Sequence, residues 1–167
     1  SVGGYVAKGV LAGSDNASTD NDTAGFQLDK TSGSGTIVID DSTDTFAAGD
    51  SIAITIGGKV ATYTVSANDV AATTPADMVA IGLKNAVDAL GITGLAVDYD
   101  SGTPGTLAFS TGDGTAAPEA LSDLTVSAQF RNAGSGGLAA LSAVDVSTEA
   151  GATAALGNIE SMLQTAI

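Results

Sequence analysis

The sequence predicts an α+β chain, mainly antiparallel β sheet with one packed helix, followed by a C-terminal helix of a different kind. Three observations carry this expectation. Ile52, Ile54 and Ile56 alternate with small residues up to Gly57-Gly58, and the run from Lys59 to Val65 continues in β-type residues. That is the pattern of a hairpin about a turn needing positive φ. Met78, Val79, Leu83, Ala86, Val87 and Leu90 then recur at 3.6-residue spacing between Thr74-Pro75 and Gly91, as in a helix with both ends marked. From Ser147 onward, Ala152, Ala155, Leu156, Ile159, Met162, Leu163 and Ala166 form one stripe. Its alternating three- and four-residue steps suit packing on other helices.

Taken in order, Tyr5 to Leu11 reads as a short strand and Ser14 to Asp22 as a polar surface loop without a large apolar anchor. Gly25 to Asp29 and the β-branched run Thr36-Ile37-Val38-Ile39-Asp40 read as strands. After the hairpin, Thr74 is the expected N-cap of the helix, Pro75 its first residue, and Asp77 the acidic group three residues on. Gly94 to Tyr99 and Thr106 to Ser110 are two further strands, joined by the turn-rich Asp100 to Gly105. Leu124 to Phe130 alternates and is expected to join the same sheet. Asn132 to Gly137 is a flexible link. Ser147 caps the last helix, with Glu149 at the positive end of its dipole.

Four segments follow: a β- and loop-rich stretch at 1–45, a strand-strand-helix-strand-strand domain at 46–130, a linker at 131–147, and the start of a long helix at 148–167. The chain starts without Met and stops within a helical pattern, so it is read as a piece of a longer protein. The core is expected to be thin and built from Val, Ile and Leu.

Composition narrows the function classes. Among 167 residues, Gly, Ala, Ser and Thr make up just over half, and Cys, His and Trp are absent. Disulfides, thiolate metal sites and His-based acid–base catalysis within this chain are therefore out of reach. Five cations against 19 carboxylates give a net charge of −14. Five scattered cations form no basic stripe for nucleic acid or for an anionic membrane surface. No run of 18 strongly apolar residues is present.

Asp40, Asp41 and Asp44 with Asp50, and separately Asp15, Asp20 and Asp22, offer the oxygen ligands that calcium takes. Neither run has the loop glycine and distal Glu of a calcium-binding loop, so both are read as solvated acidic loops and no cofactor is expected. Asp98 and Asp100 would share one face of a strand and invite comparison with paired glycosidase carboxylates. A chain with so little aromatic surface has little to hold a sugar. Gly112-Asp113-Gly114 and the glycines of 134–137 lack the Lys-Ser/Thr of a phosphate loop. Asn16-Ala17-Ser18 fits the N-glycosylation sequon and many Ser and Thr suit O-linked glycans; plain polar surface is the simpler reading. No enzymatic activity is expected.

The stretch Leu141-Ser142-Ala143-Val144-Asp145-Val146-Ser147-Thr148-Glu149-Ala150-Gly151-Ala152, with Ala154-Ala155-Leu156, Ile159-Glu160 and Leu163, resembles bacterial flagellin. It is similar to the point where a flagellin chain leaves its variable outer domains and re-enters the helical rod. The close resemblance covers roughly 30 residues; a looser one covers about 80 more, over the strand-strand-helix-strand-strand stretch. The resemblance implies an extracellular, solvent-facing part of the flagellar filament, with Leu156, Ile159 and Leu163 on the rod-packing face and other flagellin subunits as partners. Outside its filament this piece is expected to be monomeric. A hook-associated or filament-capping protein with the same module is the nearest alternative, and a surface adhesin or carbohydrate-binding domain the next.

Overall fold

In the computed structural model, which describes residues 8–14, 16–112 and 119–133, nine strands and two helices run in the order β1 (Leu11–Gly13), β2 (Asn16–Asn21), β3 (Thr23–Leu28), β4 (Ser34–Ile39), β5 (Ser51–Ile56), β6 (Lys59–Thr64), α1 (Ala67–Ala71), α2 (Pro75–Asp88), β7 (Leu95–Asp100), β8 (Thr106–Thr111) and β9 (Leu124–Arg131). All strand pairs are antiparallel. The chain is thus α+β with β strongly dominant.

The strands form two sheets, in the orders β2-β1-β4-β8-β7 and β3-β9-β5-β6. This corrects the expectation of one sheet. The order strand-strand-helix-strand-strand is present, but its two hairpins lie in different sheets. Hairpin β5–β6 pairs with β9, and hairpin β7–β8 pairs with β4. The physical reason is the alternation itself. Each hairpin buries one face only, so the two can face each other across a shared core instead of lying side by side.

Strands from before and after residue 45 pair within the same sheets. β3 pairs along its whole length with β9, β4 sits inside the larger sheet, and the buried cluster runs from Val10 to Phe130. Residues 14–22, expected as a loop, contain β2, whose backbone pairs with β1. Backbone pairing at a sheet edge needs no apolar anchor, which is why a polar run escaped notice.

All four phenylalanines, Phe26, Phe46, Phe109 and Phe130, are buried, so the core is less aliphatic than composition suggested. Phe26 of one sheet meets Phe109 of the other edge to face, with centroids 5.5 Å apart and planes at 64°, the favoured aromatic arrangement. Ile52, Ile54 and Ile56 are fully buried, each worth about 1.5–3 kcal/mol in removal from water.

The open side between edge strands β6 and β7 is covered by α2, which lies against both. Its inner face carries Val79, Ala80, Leu83 and Val87. Gly57 and Gly58 have φ of 56° and 83°, as the hairpin turn requires. The helix ends at Asp88 with Ala89 as cap, and Gly91 follows at φ 62°.

Thr74 does not act as the expected capping side chain; it makes no cap hydrogen bond. Asp77 Oδ1 instead accepts from the Gly105 amide at 2.7 Å, and the Tyr99 hydroxyl bonds to the same side chain. A tertiary demand from hairpin β7–β8 has displaced the local one. The residues assigned to the final linker and helix beyond 133 lie outside the described residues.

Candidate functional site

The sequence-predicted assembly face, Leu156, Ile159 and Leu163, lies outside the described residues. Asp15 lies outside the described residues, as does the side chain of Asp20. Asp40 Oδ1 accepts from the Ser42 amide at 2.8 Å, Asp44 Oδ2 from the Gly9 amide at 2.8 Å, and Asp50 is buried at 1% exposure. Among the described residues no group of three or more carboxylates is placed to hold a metal ion. Asp98 and Asp100 do share the exposed face of β7, but Asp100 Oδ1 is engaged by the Gly102 amide at 2.9 Å.

A cleft of about 240 Å³ lies between the β5–β6 turn, the segment after α2 and the Leu121–Leu124 segment, with Ile56, Ile92, Leu121 and Leu124 on its walls. Among the described residues its one charged lining residue is Lys59, whose Nζ donates to the Leu90 carbonyl at 3.3 Å. The cation sits just past the end of α2, where free carbonyls are presented, and Thr93 and Ser122 add hydroxyls to the lining. Among the described residues no helix is long and apolar enough to cross a membrane.

The most elaborated polar site is the junction at Asp50, where Lys8 and Ala133 meet. Asp50 directly precedes β5, and its backbone is pinned by the Val65 amide donating to its carbonyl at 2.7 Å. Its side chain turns inward. Oδ2 accepts from Lys8 Nζ at 3.0 Å and from the Ala47 amide at 2.8 Å; Oδ1 accepts from the Ala133 amide at 2.8 Å. Lys8 Nζ also donates to the Thr45 carbonyl at 2.8 Å. Removing a carboxylate from water costs several kcal/mol, and only a full set of donors with an opposite charge offsets it. Here two amides and one ammonium supply that set.

Sequence reasoning placed Asp50 among solvated carboxylates and gave Lys8 no role. The available signal was position: a single Asp between a Gly turn and a run of alternating isoleucines sits where the chain enters a core. Its partners, 42 residues earlier and 83 later, have no local signature.

A second polar feature fixes the helical connector. Tyr63 on β6 donates to Asp69 Oδ2 at 2.5 Å, and Ser66 and Asp69 form a reciprocal capping box at the start of α1. Burial and the Asp69 carboxylate raise the Tyr63 phenol to about 12. At Asp69 burial acts upward but is outweighed by the Ser66 amide, the Tyr63 hydroxyl and the Ser66 side chain, so its pKa is lowered. On the other sheet, the hydrogen bond to Asp77, then burial and the Asp77 and Asp100 charges, raise Tyr99 to about 12. Each sheet edge is thus tied to the connector by one phenol–carboxylate bond.

Comparison with protein-family models, with curated proteins and with solved structures finds no match.

Proposed function

We propose that this chain is the outer, solvent-facing domain of a flagellin, carried on the flagellar filament outside the cell and playing a structural role in motility. The observation that carries the reading is the junction at Asp50. Lys8 and Ala133, far apart in sequence, are bonded to one carboxylate, which brings the two flanks of the β strands together, as a domain inserted between two arms of a stem requires. The flagellin-like stretch from Leu141 to Leu163 supplies the matching sequence. The strand-strand-helix-strand-strand order and a rod helix from 148 belong to this reading. Subunits would meet through rod helices, in head-to-tail contacts that do not close and so build a helical tube. A net charge of −14 would keep the outer surface hydrated and neighbouring filaments apart.

The test uses the full-length protein. Replacing residues 8–133 by a short flexible bridge should leave polymerisation intact, because assembly belongs to the rod. Changing Leu156, Ile159 or Leu163 to Asp should abolish it, since each buried aliphatic side chain contributes about 1.5–3 kcal/mol to a helix–helix seam. Normal filaments from the Asp variants would overturn the reading. Assembly confined to short caps or junctions would favour the hook-associated alternative.

A further inference from the structure

We propose that Asp50 couples the incoming and outgoing chain, so that a change at Lys8 is felt at Ala133. The inference rests on contact geometry alone and holds whether or not the filament reading does. The two oxygens of one planar carboxylate hold segments far apart in sequence: Oδ2 takes Lys8 Nζ at 3.0 Å and the Ala47 amide at 2.8 Å, and Oδ1 takes the Ala133 amide at 2.8 Å. The group moves as a unit, so losing a partner on one oxygen re-aims the other. Its side chain is only 2% exposed, which leaves a displaced oxygen no ready exchange with solvent. The pocket is also tight: a Cβ added at Gly49 would come within 2.9 Å of the Ala133 methyl.

The neighbouring Asp44 provides an internal contrast. Its Oδ2 accepts from the Gly9 amide at 2.8 Å, and among the described residues it has no bond to Ala133. Asp44 should act locally, whereas Asp50 should act across the junction. An asparagine at 50 keeps a single acceptor oxygen and cannot serve both ends.

The experiment is amide hydrogen exchange at single-residue resolution on the whole 167-residue chain, comparing wild type with Lys8→Met, Asp44→Asn and Asp50→Asn. Lys8→Met should speed exchange at Ala133 by roughly tenfold, in the usual range for coupled sites, while the strand amides of β5 and β9 keep their protection. Asp44→Asn should speed Gly9 and leave Ala133 unchanged. Asp50→Asn should release one of Ala47 and Ala133 while its remaining oxygen keeps the other. Wild-type protection of Ala133 in Lys8→Met would overturn the coupling. So would equal acceleration at Ala133 and throughout β5 and β9, which would reduce the effect to general destabilisation. If Asp50→Asn does not fold, the contrast between Lys8→Met and Asp44→Asn still decides the matter.

Discussion

The Tyr63 hydroxyl and the Ser66 amide converge on the same oxygen of Asp69, at 2.5 and 2.9 Å. One carboxylate therefore caps α1 and fastens the edge strand β6 to the connector that spans the two sheets. Asp69 is 5% exposed, so its charge depends on these donors.

Tyr63→Phe removes the phenol and keeps the ring. A hydrogen bond to a charged, buried acceptor is worth about 1.5–3 kcal/mol, and we expect a loss of that order in chemical denaturation. An unchanged denaturation midpoint would show that solvent or Ser66 satisfies Asp69 alone.

The same pairs set the pH dependence. Tyr63 and Tyr99 are raised from 10.0 to about 12 in the folded state. The unfolded chain therefore loses these protons first, and the stability they contribute is present below pH 10 and lost as the pH rises from 10 to 12. Asp69 is lowered, so its contribution is present above the ordinary carboxylate range and lost on acidification through it. Denaturation midpoints across the alkaline range should fall in wild type and flatten in a Tyr63→Phe/Tyr99→Phe double variant.

Gly82 lies under the Tyr63 ring, and an added Cβ there would overlap ring atoms. Gly82→Ala should improve intrinsic helix propensity by about 1 kcal/mol and yet destabilise, since overpacking costs about 1–3 kcal/mol. A spectrophotometric titration should also show the Tyr63 phenol moving back toward 10 as the ring is pushed from Asp69. A net gain in stability would mean that the ring relocates freely.

Thr106 has the opposite sign. Among the described residues its Oγ1 is buried without a hydrogen-bond partner, and the residue is 8% exposed between Val38 and Asp100 on neighbouring strands. Thr106→Val removes the unsatisfied hydroxyl at similar volume, so it should be neutral or stabilising in thermal denaturation. A clear drop in melting temperature would reveal an unrecognised partner for the hydroxyl.

Much of the fold was legible where one residue type repeats at one period. The alternating isoleucines of β5, the Gly-Gly turn and the stripe of α2 each announce themselves locally. What was not legible depends on distant partners. Nothing near β5–β6 or β7–β8 says that the hairpins belong to different sheets, because both show the same one-sided alternation. Asp77 has the spacing of a capping group, yet Gly105 and Tyr99 claim it. Ser66 and Asp69 have the local capping signature, but α1 is only five residues long and gives no apolar period to mark it. At the junction, Asp50 could be read as one more acid in an acidic loop, since Lys8 and Ala133 come from far along the chain.

We propose residues 8–133 as the exposed head of a filament subunit. An antibody fragment raised against folded 8–133, imaged by electron microscopy on cells producing the full-length protein, tests it most directly. The account predicts dense labelling along the whole length of flagellar filaments. Labelling confined to the hook junction or filament tip, or spread over the cell body with bare filaments, would contradict it.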